Sequence, residues 1–175
     1  MSAWNLSHAS QNLFNLRRLT YMATLEQLKA KGKIEEYLAE LPPGQAPGRY
    51  VYASTTAVAW FSNELANAPL GRGRDLTPEE QVHNRLHEFI TDDPLNYNTT
   101  HRDLDQYVWE IKTADVRLLG WFPRKSTFFI VLGEFKDKLL RAKFYRPYIQ
   151  TVVEFRANLC LDDPKFLMGG TRDVL

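Results

Sequence analysis

The sequence predicts an α+β fold, in which a small antiparallel sheet is packed by two preceding helices and a C-terminal helix. Three short runs rich in β-branched and aromatic residues follow one another between residues 108 and 135, with only short connections between them. Apolar residues recur at helical spacing before residue 91 and again after residue 147. Because the strands mostly follow helices instead of alternating with them, the class is α+β.

An N-terminal helical extension precedes this domain. Apolar residues recur at three-residue steps from Leu13 to Leu28, and helical spacing resumes after Gly32. We therefore expect two helices over residues 10–41, with a break near Gly32.

A linker divides the chain into segments. The stretch LPPGQAPG at residues 41–48 contains three prolines and two glycines, which oppose both a helix and a central strand. We expect residues 1–48 to form a helical arm with its linker, residues 49–160 to form the main α+β domain, and residues 161–175 to form an irregular tail.

The first half of the main domain is predicted to contain one strand and two helices. Tyr50–Ala53 begins an extended segment, and Thr55–Ala66 has helical spacing. A second helix should begin with Thr77 as its N-cap and Pro78 at its first position, since two acidic residues follow in the first turn. It should end near Thr91.

The second half is predicted to be a three-stranded antiparallel meander followed by a helix. The connections between the strands are too short for a parallel crossover. The continuous apolar run FFIVLG predicts that the last strand is central and covered on both faces. The final helix should begin at about Leu139 or Pro147 and end at Leu159. The three predicted strands cover residues 108–112, 116–122 and 127–135.

The composition narrows the function classes. Of the 175 residues, 44% are hydrophobic, which suffices for one core. The single Cys160 excludes an internal disulfide framework, and no Cys/His spacing typical of a zinc site occurs, so we expect neither a metal nor another cofactor. No signal peptide and no run of about 18 apolar residues is evident, so we expect a soluble cytoplasmic protein without a membrane partner.

Charge is distributed unevenly along the chain. Residues 61–109 contain four Lys/Arg and nine Asp/Glu, whereas residues 110–146 contain nine Lys/Arg and four Asp/Glu. A basic block of this kind suits phosphate binding. The alternative is that the basic side chains are scattered over a solvated surface.

An ordered set of motifs in the basic block resembles a known family. The motifs are Trp109–Lys112, Val116–Leu119, the hairpin Pro123–Lys125, the strand Phe128–Leu132 and Gly133–Lys138. Together they resemble the RelE/HigB superfamily of toxin ribonucleases, and within it the phage-derived HigB-like branch, over roughly residues 50–156. The family has paired lysines after the last strand. Here Lys138 matches one of them, Lys136 is displaced, and Asp137 interrupts the pair.

The resemblance implies a small RelE-like sheet and metal-independent cleavage of RNA, in which a ribose 2′-hydroxyl attacks the adjacent phosphate. The expected partner is RNA, usually messenger RNA in the ribosome. This reaction needs a base, a cation that stabilises charge on the phosphate, and an acid for the leaving oxygen. Arg117 is the candidate cation, because its guanidinium matches phosphate oxygens bidentately. The other candidate catalytic residues are Lys136, Lys138, Tyr145 and Tyr148, and the candidate RNA-binding residues are Lys112, Arg124, Lys125, Arg141 and Lys143.

Structural interpretations of the same residues stay open. Arg117 could be a surface arginine that stacks on a tryptophan, the lysines could be solvated, and the tyrosines could pack the helix. Glu110 is interpreted as structural, countered by Lys112 or Arg117, and Glu134 is an alternative base. No histidine follows the meander. His101 is interpreted as a polar loop residue, with a swing toward the site as the alternative.

Three function classes remain. The first is an RNA-cleaving, toxin-like enzyme; the second is an inactive RelE-like binding module; the third is an interaction or assembly protein of a phage or mobile element. For the helical arm, the alternatives are an antitoxin-like role, a contact between copies in a homo-oligomer, and an added layer of the core.

Overall fold

A computed structural model describes residues 23–91, 100–141 and 145–175. The helices of this part are α1 (Leu25–Ala30), α2 (Thr55–Trp60, continued by a π-helical turn at Phe61–Leu65), α3 (Pro78–Ile90), α4 (Lys136–Arg141), α5 (Arg146–Asn158) and α6 (Thr171–Val174). The strands are β1 (Ile34–Tyr37), β2 (Tyr50–Ser54), β3 (His101–Asp103), β4 (Trp109–Lys112), β5 (Val116–Arg124) and β6 (Thr127–Phe135). A short 3₁₀ helix covers Asp105–Tyr107.

The described strands form one mixed, mostly antiparallel sheet in the order β1-β2-β6-β5-β4-β3. Strands β4, β5 and β6 pair antiparallel and form the predicted meander. Strand β6 is central as predicted, because it also pairs with β2, and this pair is parallel. The α+β class is therefore confirmed.

Each face of the sheet supports a hydrophobic core. Helices α2 and α3 cover one face, where Leu86 and Phe89 pack with Phe122 and Phe128 of the sheet. We call this the α3 face. Helices α1 and α5 cover the other, where Leu28 and Val152 pack with Leu119, Trp121 and Phe129. We call this the α5 face. Neighbouring residues of β5 thus point to opposite cores, as pleating requires.

The helix signals at Thr77 and Pro147 are confirmed. Thr77 caps α3, with its Oγ1 accepting a hydrogen bond from Glu80 N while Glu80 accepts one from Thr77 N. This is a capping box, which satisfies two backbone donors at the helix start. Helix α5 begins next to Pro147, the second of the two predicted starts.

The prediction of a helix after Gly32 is wrong. Gly32 has a φ of +63°, and Lys33 N donates to Leu28 O, so α1 ends and the chain turns back. The next residues form β1, antiparallel to β2, with Ile34 only 1% exposed in the core of the α5 face. The described part of the extension therefore belongs to the main domain, with α1 covering the α5 face and β1 forming an edge of the sheet. The remainder of the two predicted helices, residues 10–22, lies outside the described residues.

The C-terminal tail packs along the domain and ends in α6. Leu167 N donates to Phe122 O, and Ser126 N donates to Val174 O. Val174 is fully buried in the core of the α3 face. In the described part of the chain, no helix has the combined length and hydrophobicity required to cross a membrane.

Candidate functional site

Polar side chains gather at one end of the α5 face, where β5 begins and β6 ends. Glu110 of β4 lies opposite Leu119 of β5, and Arg117 lies two residues before Leu119, on the same side of the strand. Arg117 is in turn opposite Glu134 of β6. Directly opposed residues lie about 5 Å apart at Cβ and diagonal neighbours about 7–8 Å apart, so the register places Arg117 beside Glu134 and within side-chain reach of Glu110.

Glu110 is the buried centre of the first half of this site. Its side chain is 0% exposed, and Arg102 Nε of β3 lies 2.8 Å from its Oε1. Arg117 Nε lies 4.0 Å from Oε2. Burial raises the pKa of Tyr145, and the adjacent Glu110 carboxylate raises it further. Both arginines and the tyrosine therefore surround one carboxylate.

Glu134 is the centre of the second half. Its Oε2 accepts a hydrogen bond of 3.3 Å from the Tyr148 hydroxyl and lies 2.8 Å from Lys138 Nζ. Its Oε1 accepts a hydrogen bond from Phe135 N. The hydrogen bond to Glu134 raises the pKa of Lys138, whereas burial and then Glu134 raise the pKa of Tyr148. Both groups therefore hold their protons at neutral pH.

Arg117 itself is fixed and largely covered. Its Nη1 donates to Thr113 O at 2.6 Å and to Val116 O at 2.8 Å, and its side chain is 12% exposed. Trp109 packs on Phe122 in the α3-face core and Trp121 stacks on Phe129. Both tryptophans therefore pack on other rings, and among the described residues Arg117 does not stack on either of them.

These side chains form one group, which we call the Glu110–Glu134 cluster. Three cationic groups face two carboxylates, so the cluster carries one net positive charge. An excess positive charge beside phenol hydroxyls that keep their protons suits an anionic ligand. Its members are Arg102, Glu110, Arg117, Glu134, Lys138, Tyr145 and Tyr148.

Two other predicted residues are close to cluster members in sequence, but only one of them lies beside the cluster in space. Lys112 is the cross-strand partner of Arg117 and adds positive charge at its edge. Lys136 instead lies on the side of Asp115, whose carbonyl oxygen accepts a hydrogen bond from Lys136 N. Burial opposes ionisation of Asp115, but hydrogen bonds from Gln81 and Arg74 and the charges of Arg74 and Lys136 hold its pKa below the usual value.

An open cavity of about 550 Å³ beside Asp115 does not belong to the cluster. Three of its lining residues are acidic, namely Glu64, Asp115 and Asp137. An acidic lining repels phosphate, so this cavity does not suit an RNA backbone.

Of the remaining predicted RNA-binding residues, Arg124 and Lys125 do not join the cluster. Arg124 is seven residues from Arg117 along β5, which places it roughly 23 Å away. It pairs with Glu26 of α1 at 2.7 Å, and Lys125 follows it in the hairpin turn. Arg141 is the last residue of α4 and its side chain lies outside the described part of the chain, as does Lys143.

The interpretation of His101 as a polar loop residue is wrong. It begins β3, is 4% exposed, and its ring centroid lies 5.4 Å from that of Phe89 in the α3-face core. Burial, with the nearby charges of Arg85, Arg49 and Lys112, lowers its pKa to about 3. Neighbouring residues of a strand point to opposite faces, so Arg102, not His101, reaches the cluster.

Arg102 is the member that sequence reasoning missed. Strand β3 has only three residues, and its sequence HRD carries no apolar alternation that would predict a strand. Only the pairing of Arg102 with Glu110 across β3 and β4 reveals its place.

Comparison with known proteins yields no match of the chain to a family model, a curated protein or a solved structure. What the cluster can do is therefore inferred from its geometry and from the motifs that carry it.

Proposed function

We propose that this protein is a RelE/HigB-like toxin-type ribonuclease, which cleaves RNA by attack of a ribose 2′-hydroxyl on the adjacent phosphate. One observation carries the proposal. Arg117, Lys138, Tyr145 and Tyr148, chosen from the motif positions, surround two buried carboxylates at one end of the sheet.

The order of elements supports the proposal. The main domain was predicted to contain a strand, two helices, a three-stranded meander and a C-terminal helix, in that order. The corresponding elements are β2, α2 with α3, the meander β4–β6, and α5. Fold order alone does not imply activity, so the cluster must supply the chemistry.

Arg117 is suited to stabilise negative charge on the phosphate. Its Nη1 is anchored by two main-chain carbonyls, which restrains the guanidinium, and its Nε faces Glu110 at 4.0 Å. A guanidinium has five N–H donors, and among the described residues Nη2 of Arg117 has no hydrogen-bond partner, which leaves it for phosphate oxygens. A donor that is fixed before the substrate arrives stabilises the transition state without reorganisation.

Glu134 and Tyr148 are suited to move the protons. In the proposed step, Glu134 accepts the proton of the 2′-hydroxyl, the 2′-oxygen bonds to phosphorus, and the bond from phosphorus to the 5′-oxygen breaks. Tyr148 gives its proton to that oxygen and recovers one from Glu134 through their 3.3 Å hydrogen bond. The products are a 2′,3′-cyclic phosphate and a 5′-hydroxyl, and the step needs no metal ion.

The test is incubation of the purified protein with single-stranded RNA in the presence of a chelator. We expect fragments with 2′,3′-cyclic phosphate and 5′-hydroxyl ends, loss of cleavage in Arg117→Ala, and a strong reduction in Tyr148→Phe. Arg85→Ala is the matched control, because Arg85 is ion-paired with Glu88 on α3, which packs on the opposite face. Cleavage by wild type and Arg117→Ala at equal rates would contradict the proposal.

A second candidate function is RNA binding without cleavage. It is favoured by the pairing of every cation in the cluster with a carboxylate and by the 12% exposure of Arg117. A binder should retain RNA without producing fragments, and Arg117→Ala should remove only part of its affinity. The same incubation, followed by a filter-binding measurement, separates the two functions.

A further inference from the structure

We infer that Arg102 binds a second phosphate of the RNA, adjacent to the one held by Arg117, so that the preferred ligand contains at least two phosphodiester groups. This inference rests on the proposed function and extends it. Two of its supports are independent of the motifs: the position of Arg102 on β3 and the way one carboxylate is shared between two arginines.

Arg102 is held in place and is still accessible. Its Nε lies 2.8 Å from Glu110 Oε1, and its guanidinium carbon lies 5.1 Å from the centre of the Tyr145 ring. The side chain is nevertheless 48% exposed. Contact with a carboxylate on one side and an aromatic ring on the other fixes the guanidinium, while its terminal N–H groups remain for a ligand.

The spacing of the two arginines suits neighbouring groups on one strand of RNA. Arg102 lies opposite Glu110, which lies opposite Leu119, and Arg117 is two residues from Leu119. Two strand spacings and a shift of two residues separate the Cα atoms of Arg102 and Arg117 by about 12 Å. Their long side chains both lean toward Glu110 between them, so the guanidinium groups are closer than the Cα atoms.

This half of the cluster carries an excess of positive charge, which favours an anionic ligand. Glu110 Oε1 faces Arg102 and Oε2 faces Arg117, so one carboxylate serves two guanidinium groups. The half therefore has one unbalanced positive charge. The competing explanation is that Arg102 serves only as a counter-ion of Glu110, and the experiment is designed to separate the two.

The test measures how binding of a 2′-O-methyl RNA hexanucleotide, which cannot be cleaved by 2′-hydroxyl attack, depends on salt. For single-stranded nucleic acid, each phosphate that a protein cation neutralises adds about 0.7 to the steepness of log K against log salt. Arg102→Ala should lower the affinity about 5- to 20-fold and make this slope shallower by about 0.7. Arg102→Lys should restore the slope but not the full affinity, because it keeps the charge without the fork.

Arg85→Ala again serves as the matched control and should leave both affinity and slope unchanged. An Arg102→Ala protein that folds, by circular dichroism, and keeps the wild-type slope would overturn the inference; if that variant does not fold, Arg102→Gln gives the same comparison. Failure of the wild-type protein to bind the hexanucleotide would overturn the proposed function together with the inference. Binding and cleavage by the wild type with an unchanged slope in Arg102→Ala would overturn the inference alone.

A cleavage comparison gives a second readout. If two phosphates are bound, a trinucleotide with two phosphodiester groups should be cut with a higher kcat/KM than a dinucleotide with one. Arg102→Ala should lower kcat/KM for the trinucleotide more than for the dinucleotide, so that this advantage is lost. An equal reduction on both substrates would show that Arg102 acts through Glu110 alone.

Discussion

Replacing Glu110 by glutamine should destabilise the fold by about 3 kcal/mol, because it removes the shared counter-ion of two arginines without changing the size of the side chain. Glu110 is 0% exposed, and the guanidinium groups of Arg102 and Arg117 lie 2.8 and 4.0 Å from its oxygens. Arg117, which is 12% exposed, would lose its nearest anion, whereas Arg102 is 48% exposed and can turn to water. The expected destabilisation is therefore at the lower end of the range for broken buried pairs.

The matched control is Glu26→Gln, which breaks an ion pair of similar geometry at the surface. Glu26 and Arg124 lie 2.7 Å apart and are 56% and 49% exposed. Solvent-exposed pairs of this kind contribute about 0–1 kcal/mol. Burial of the carboxylate is the main difference between the two variants.

Urea unfolding followed by circular dichroism measures both free energies of unfolding. A destabilisation of about 3 kcal/mol would also lower Tm by roughly 6–12 °C in a chain of this size. If the free energy of unfolding of Glu110→Gln lies within about 0.5 kcal/mol of the wild type, or equals that of Glu26→Gln, Glu110 is not the buried counter-ion of both arginines.

Three further predictions concern the frame of the site. Gly120→Ala should cost about 3 kcal/mol or more in urea unfolding, because the added Cβ would lie 1.8 Å from Phe129 O. Gly71→Ala should cost less, since its Cβ would meet only side-chain atoms, Arg74 Cγ at 3.1 Å and Asp115 Oδ2 at 3.5 Å. Similar costs in both would contradict the close approach of β5 and β6 at Gly120. Thr77→Ala should lower the free energy of unfolding by about 1 kcal/mol, because it removes the capping box of α3. Thr55 is exposed and caps no helix, so Thr55→Ala should change this free energy little. His101 has a folded-state pKa of about 3 against an ordinary 6.5, so the unfolded chain binds the extra proton first and stability falls as pH drops below 6.5. From about pH 7.5 to pH 5 the wild type should lose about 2 kcal/mol relative to His101→Gln, and a constant difference would show that His101 is not held neutral.

The sequence predicted the elements whose signals are local. The capping box at Thr77 and the meander are set by residues near each other in the chain, and both are present. The three-residue spacing of Ile34 and Tyr37 fits a helix, but in β1 it places Ile34 in the core of the α5 face and Tyr37 against the core of the α3 face, because both faces of the sheet are covered. The partner of β1, β2, decides the outcome, and such a pairing has no local signal.

The site was predicted only in part for the same reason. Arg117, Lys138 and Tyr148 follow from motif order, but which of them meet depends on register. Lys136 and Lys138 both lie on the first turn of α4, yet only Lys138 lies four residues from Glu134 and pairs with it. Arg102 and the burial of Glu110 required the pairing of β3 with β4, which the sequence did not predict.

The most direct test of the central claim is expression of the protein in bacteria, with mapping of 5′-hydroxyl ends in messenger RNA. We predict that the wild type arrests growth and leaves internal 5′-hydroxyl ends, that Arg117→Ala and the charge-preserving Arg117→Lys do neither, and that Arg85→Ala behaves like the wild type. Intact messenger RNA in cells that express folded wild-type protein, or equal cleavage by the Arg117 variants, would contradict the assignment of a ribonuclease site to the Glu110–Glu134 cluster.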